Sequence, residues 1–292
     1  MEISQFKSEE VHQKFLALYH DAMKKLPIPQ DTFDINTAYG TVRVYRFGNR
    51  GGIPILLFSG RAASTPMWEP NITGLLKTHD VYSMDLLGEP GLSIQTNPIK
   101  DHKQQAAWVE DVLMQLNLTK VHLLGVSFGG WTVVNYAVYY PKYIVSIIVL
   151  DPALVFAPFS LKIILFSLIA TLPFVSEYWR QKSMSWISGG AEVDSQNSTS
   201  RLISIGLKNF TIKTPAPKQF TVEQLNSIHA PILVIFAGKS IVHDSAKALV
   251  RAKSLSNHVE AEVWPAASHA ISGEFPNEIN ERVNKFLSGL IL

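Results

Sequence analysis

Ser127 lies in the run Gly125-Val126-Ser127-Phe128-Gly129-Gly130, after the apolar residues 121–124 and before a helix-like segment at 131–140. A serine in that setting has the pattern of a nucleophile. A sharp strand-to-helix turn projects its hydroxyl, and the glycines on either side let neighbouring backbone come close to a strained residue. The helix that follows aims free N–H groups at whatever the serine attacks. The same residues also suit a glycine-containing turn with a capping serine, so the decision rests on whether the serine has partners.

Attack on an ester near neutral pH needs a base that removes the hydroxyl proton. His269, in Pro265-Ala266-Ala267-Ser268-His269-Ala270, stands between a predicted strand at 259–264 and a predicted helix at 276–287. It is the best-placed candidate. His12, His20, His102, His122 and His258 read as ordinary structural or surface histidines.

The elements that must position these groups alternate. Residues 32–37 and 41–47 read as a hairpin around Tyr39-Gly40, and 53–58 as the first buried strand. Further strands are predicted at 80–84, 121–124, 143–150, 232–236 and 259–264, with helices over 68–77, 101–116, 131–140, 245–254 and 276–287 between them. This order specifies a mostly parallel sheet covered by helices on both faces. Val11, Phe15, Leu18, Ala22 and Leu26 recur at helical spacing, so residues 1–30 form an amphipathic N-terminal helix ended by Pro27 and Pro29.

The alternation stops after Asp151 and resumes at Pro231, which divides the chain into a core, 31–151 and 231–292, and an inserted helical lid, 152–230. The first part of the lid, 159–175, is apolar but interrupted by Lys162 and bracketed by Pro158 and Pro173. A bilayer span needs about 20 apolar residues, so a buried lid helix is favoured over membrane insertion. Gly189-Gly190 and 194–200 read as a loop within it.

Composition narrows the partners. The 292 residues carry 26 Lys and Arg against 24 Asp and Glu, with no long basic run, which argues against nucleic acid. Cysteine is absent, so thiol nucleophiles, disulfides and thiolate metal sites are excluded. Glu2, Lys7, Glu9, Glu10 and Lys14 stand where a secretory signal would be apolar, and a cytoplasmic location is expected. Oligomeric state is not readable.

From about Thr32 onward the chain resembles the α/β-hydrolase superfamily, in particular its bacterial carboxylesterases. Four ordered motifs carry the resemblance: the Ser127 elbow, Leu57-Phe58-Ser59-Gly60-Arg61-Ala62-Ala63-Ser64, Met84-Asp85-Leu86-Leu87-Gly88-Glu89-Pro90-Gly91-Leu92-Ser93, and the His269 loop. It implies an α/β-hydrolase fold, an acyl-enzyme on Ser127, and His269 as base. It also implies an oxyanion hole from the backbone N–H groups of Phe128 and Arg61. The family usually has His-Gly where this chain has Ser59-Gly60. The Arg61 side chain has two readings, a holder of acidic substrate groups or a partner of a nearby carboxylate. Asp85 is read as a structural residue of its loop.

The third member of the triad departs from the family pattern. Ser240 occupies the usual slot of the acid, and a hydroxyl cannot stabilise an imidazolium as a carboxylate does. Asp244, in the same loop, ranks slightly above Asp151, which follows the preceding sheet strand. Either aspartate also has an ordinary use, as a helix cap or a turn residue.

The expected activity is hydrolysis of small-molecule carboxylic esters with apolar acyl or aryl groups, without metal or cofactor. Lid residues Phe156, Phe159, Ile163, Ile164, Phe166, Leu168 and Ile169 supply the apolar surface, with Phe159 and Ile163 as the named substrate contacts. Lipase, thioesterase, amidase or carbon–carbon hydrolase activity would use the same machinery. With no acid at position 240, a weakly catalytic ligand-binding homologue is the alternative of a different class.

Overall fold

The computed structural model describes residues 3–165, 176, 198–255 and 258–290. Apolar, β-branched stretches form the strands at the centre of the molecule. These are β4 (Ile55–Phe58), β5 (Val81–Met84), β7 (Val121–Val126), β8 (Ile144–Leu150) and β10 (Ile232–Ala237), buried along almost their whole length. Strands apolar on both faces need cover on both sides, and they receive it. The sheet order is β11-β10-β8-β7-β4-β5-β3-β2, with β11 at Val259–Trp264, and the short β6 (Ile94–Gln95) pairs with β3. From β11 to β5 every pairing is parallel, while the hairpin of β2 (Asp31–Thr37) and β3 (Gly40–Phe47) closes one edge antiparallel.

One apolar cluster packs α3 (His102–Gln115), α4 (Phe128–Tyr139) and α7 (Ser245–Lys253) on one face of the sheet. The other joins α1 (Glu9–Met23), α2 (Glu69–Leu75) and α9 (Pro276–Ser288) to the opposite face. No helix among the described residues is long and apolar enough to cross a membrane.

The segment between β8 and β10 differs from expectation. Residues 198–200, expected in a loop, begin α5 (Ser198–Asn209), which buries Leu202 and Gly206 and packs against α1. Leu202 and Gly206 are four apart, so they share a face, and the half-buried Ile205 packs against the same apolar cluster as Leu202. The chain then forms β9 (Phe210–Thr211), antiparallel to β1 (Gln5–Phe6), so the N-terminal segment is bonded directly to the insertion. After α6 (Val222–Asn226) it enters β10. Of the apolar run at 159–175, residues 161–165 are helical and 166–175 lie outside the described residues, as do Phe166, Leu168, Ile169 and Gly189-Gly190.

Candidate active site

The parallel strands β4, β7, β8, β10 and β11 place their C-terminal ends along one edge of the sheet, the edge where open α/β sheets bind ligands. Ser59, Ser127, Asp151 and the His269 loop all follow those ends. Ser127 sits between β7 and α4 at φ 53° and ψ −117°, outside the ordinary regions for a side-chain-bearing residue. Such a conformation costs on the order of 1–3 kcal/mol, and close packing holds it. A Cβ on Gly125 would lie 2.5 Å from the Gly129 carbonyl carbon, and one on Gly129 would lie 2.1 Å from the Phe58 oxygen. Only glycines permit that approach.

The His269 loop is fastened at several points. Ser268 donates its N–H and its hydroxyl to the Glu274 carboxylate at 2.7 and 2.6 Å, and Lys239 N–H bonds Ala267 O at 2.9 Å. His269 Nε2 then lies 2.8 Å from Ser127 Oγ, and Nδ1 lies 2.6 Å from Asp151 Oδ2. A carboxylate accepts only, so the proton on this histidine belongs on Nδ1. Nε2 is left free to accept from the serine.

Asp151 itself is fully buried and held from its other oxygen, with Ala237 N–H donating to Oδ1 at 3.0 Å. His243, also buried, brings Nε2 within 3.2 Å of the same oxygen, off line for a well-formed hydrogen bond. Burial alone would raise the Asp151 pKa. Its contacts with His243 and His269 outweigh burial and hold the carboxyl well below the usual carboxylate range.

The ranking of the acids is therefore corrected. Asp244 accepts from Lys247 N–H at 3.0 Å as the N-cap of α7, with its side chain about half exposed. Ser240 Oγ accepts from Val242 N–H at 3.2 Å within its own turn and makes no bond to His269. Their loop runs toward α7, while Asp151 leaves the neighbouring strand already facing His269. His243 was not singled out from the sequence. It stands three residues past the empty acid position, which is the signal that points to it.

Phe128 opens α4, and Gly60, ahead of Arg61, passes so near that its Cβ would be 3.6 Å from that of Ser127. Among the described residues neither the Phe128 nor the Arg61 backbone N–H has an acceptor. The Arg61 guanidinium is already engaged, with Nη1 donating to buried Glu89 at 2.5 Å and Cζ 3.8 Å from the Phe128 ring centroid. It is not a free cation for an acidic substrate. Asp85 accepts from Thr65 N–H, Thr65 hydroxyl and Leu92 N–H, in line with a structural reading.

In the insertion, Ile163 is buried against Ala153 and Val242, while Phe159 is 37% exposed. Phe156 packs edge-on against Phe236 in the core, and Ile164 is exposed.

Residues 53–276 match the family model described as the alpha/beta hydrolase fold. The chain belongs to that family. This α/β-hydrolase is 28% identical over 289 residues to the uncharacterized carboxylesterase nap of Bacillus subtilis strain 168, an alignment covering 94% of this chain and 92% of the relative. Carboxylesterase YbfK of the same strain is 27% identical over 292 residues, covering 98% and 97%. The crystal structure of B. subtilis naproxen esterase is similar with a TM-score of 0.87 at 27% identity, covering 96% of this chain and 99% of that one. That of B. subtilis YbfK matches equally well, covering 97% and 100%.

Proposed function

We propose that this α/β-hydrolase cleaves carboxylic esters through an acyl-enzyme on Ser127, with His269 as base and Asp151 as its acid. The continuous contact from Ser127 Oγ through His269 to Asp151 Oδ2, at 2.8 and 2.6 Å, is the observation that carries this reading. The carboxylesterase relatives, matched over almost their whole length, support the same reaction.

Ser127 Oγ bonds to the ester carbonyl carbon, the carbonyl electron pair moves onto oxygen, and the serine proton passes to His269 Nε2. The oxyanion is received by the Phe128 and Arg61 backbone N–H groups. On collapse the carbon–alkoxide bond breaks and Nε2 returns the proton to the leaving alcohol. Water then attacks the acyl carbon, losing its proton to the same nitrogen; on collapse the carbon–Oγ bond breaks, Nε2 returns the proton to Ser127 Oγ, and the carboxylic acid leaves. Asp151 keeps the Nδ1–H tautomer and stabilises the imidazolium formed at each attack.

The alcohol or acyl portion is proposed to be apolar or aromatic. Phe159, partly exposed at the start of the inserted segment, taken as a lid over 152–230, supports that choice, while Ile163, expected beside it as a contact, is packed against Ala153 and Val242. Ser240 in the usual acid position keeps a ligand-binding homologue open as the alternative; Asp151 against His269 supports the esterase instead.

The test is labelling with a fluorophosphonate followed by peptide mapping, together with burst kinetics on a chromogenic ester. The label is expected on Ser127, with one equivalent of alcohol released in the burst. Labelling elsewhere, or unchanged labelling of Ser127→Ala at that peptide, overturns the assignment.

A further inference from the structure

Glu89 is a buried carboxylate with no part in the proton relay. Both of its oxygens are used, and both point to one loop. Oε2 accepts from Ala62 N–H at 2.9 Å and Oε1 from Arg61 Nη1 at 2.5 Å. Ala62 has φ +57°, a left-handed conformation that an alanine adopts only at a cost when its surroundings hold it. The turn is closed on its other side by Ala63 N–H bonding Gly60 O at 3.1 Å. From Glu89 the Arg61 guanidinium extends over the face of Phe128, 3.8 Å from the ring centroid. Phe128 and Arg61 are the two residues whose backbone N–H groups face the ester oxygen in the proposed reaction.

We propose that Glu89 is a positioning residue for the oxyanion donors. Its carboxylate fixes the Gly60-Arg61-Ala62 turn directly and ties that turn to the head of α4 through the Arg61 guanidinium on Phe128. The role rests on the serine-esterase reading above and deepens it.

The chain has Ser59 where the family resemblance leads one to expect histidine, and the buried Ser59 hydroxyl has no hydrogen-bond partner among the described residues. Support for the turn therefore comes from the loop after β5. Asp85, in the same loop, grips Thr65 N–H and hydroxyl at 2.9 Å each, so two carboxylates four residues apart hold the stretch 61–65. Asp85 binds the far end of that stretch. Glu89 binds the end beside Ser127.

The neighbouring insertion leaves this loop little room to shift. A Cβ on Gly206 of α5 would come within 3.1 Å of Ala62 O and 2.9 Å of Pro90 Cγ. The backbone of α5 thus lies against the same turn. With the loop confined by α5 and gripped by Glu89, its N–H groups keep their aim without reorganising during the reaction, which is the condition for effective oxyanion stabilisation.

A donor that stabilises only the developing charge lowers kcat when lost and leaves substrate affinity largely alone. Glu89→Ala is therefore expected to lower kcat on a p-nitrophenyl ester by at least about tenfold with KM within about twofold. Affinity for an aryl trifluoromethyl ketone, whose serine adduct carries the same oxyanion, should fall by a comparable factor. Glu89→Gln, which still accepts from Ala62 N–H, should recover part of both losses. Arg61→Met keeps the aliphatic stem without the guanidinium and carries the test if Glu89→Ala does not fold; the same split between kcat and KM is expected. Folded Glu89→Ala with unchanged kcat and unchanged ketone affinity would overturn the role, as would Arg61→Met with both unchanged. Ser127→Ala run alongside reports on the esterase reading itself, so a wild-type-like Glu89 variant in a Ser127-dependent enzyme rejects only the positioning role.

Discussion

Ala237 donates its backbone N–H to Asp151 Oδ1 at 3.0 Å, joining the end of β10 to the carboxylate that follows β8. The strands β8 and β10 are parallel neighbours, with Leu150 opposite Ile235, so Asp151, the residue just beyond β8, comes level with the last residues of β10. The loop after β10 usually carries the acid in this family. Here the end of that strand orients an acid from the strand beside it.

Asp151→Asn should therefore cost far more activity than Asp244→Asn. Neutralising a triad acid lowers turnover by up to about ten-thousandfold, whereas losing a helix cap costs on the order of 1 kcal/mol of stability. Asp244→Asn and Ser240→Ala are expected to keep near-wild-type kcat. Steady-state kinetics on the three folded variants checks this, and a large loss confined to Ser240→Ala would refute the Asp151 assignment.

Ser127→Ala should abolish acylation while leaving the fold intact. The remaining donors can still leave roughly a thousandfold acceleration over water, so residual turnover must be compared with buffer. A retained burst in mass-resolved acylation experiments would contradict the nucleophile assignment.

Ile163 and Phe159 should respond differently. Ile163 is buried beside Ala153 and Val242, and Ile163→Ala is expected to cost about 2–5 kcal/mol. Phe159, partly exposed, should change acyl-length preference with little loss of stability when replaced by alanine. Urea unfolding and kcat/KM over a series of acyl chains separate the two; a uniform loss for every ester in Phe159→Ala would reject substrate contact.

Stability should fall on mild acidification through His122. This histidine on β7 is buried with Nδ1 2.7 Å from Ser146 Oγ, and burial holds its pKa down to about 4. Because the unfolded histidine protonates near 6.5, the unfolded chain takes up the proton first. Stability therefore declines from about pH 6.5 to 4, by up to about 3 kcal/mol. Asp151 acts in a lower window. Its depressed pKa contributes stability above the unfolded value of about 3.9, lost only as pH falls through the folded one. Urea unfolding between pH 7 and 4 should give a flatter profile for His122→Asn than for wild type, and equal slopes would exclude His122 as the source.

The order of strands and helices was legible in the sequence because periodicity and turn residues act over a few positions. The predicted strand at 259–264 coincides with β11, and the predicted helix at 276–287 is within a residue of α9. The elbow was legible for the same local reason, since Gly125, Ser127 and Gly129 specify one tight turn between β7 and α4. In the insertion α5 was missed. It opens on the polar residues Ser198, Thr199 and Ser200, and it packs against α1, almost two hundred residues earlier in the chain.

What the sequence alone determined was thus the alternating α/β framework, the serine and the histidine, each marked by neighbours in the chain. Which carboxylate meets His269 was decided only by tertiary structure. Asp151 and His269 are separated by 118 positions, and the parallel register of β8 and β10 brings the aspartate inward while Asp244 turns away to cap α7. The same holds for Glu89 and Arg61, 28 positions apart. Local patterns record how a segment folds on itself, but a buried carboxylate takes its partner from whichever donors the packed strands place within 3 Å, and that distance exists only once the sheet is assembled.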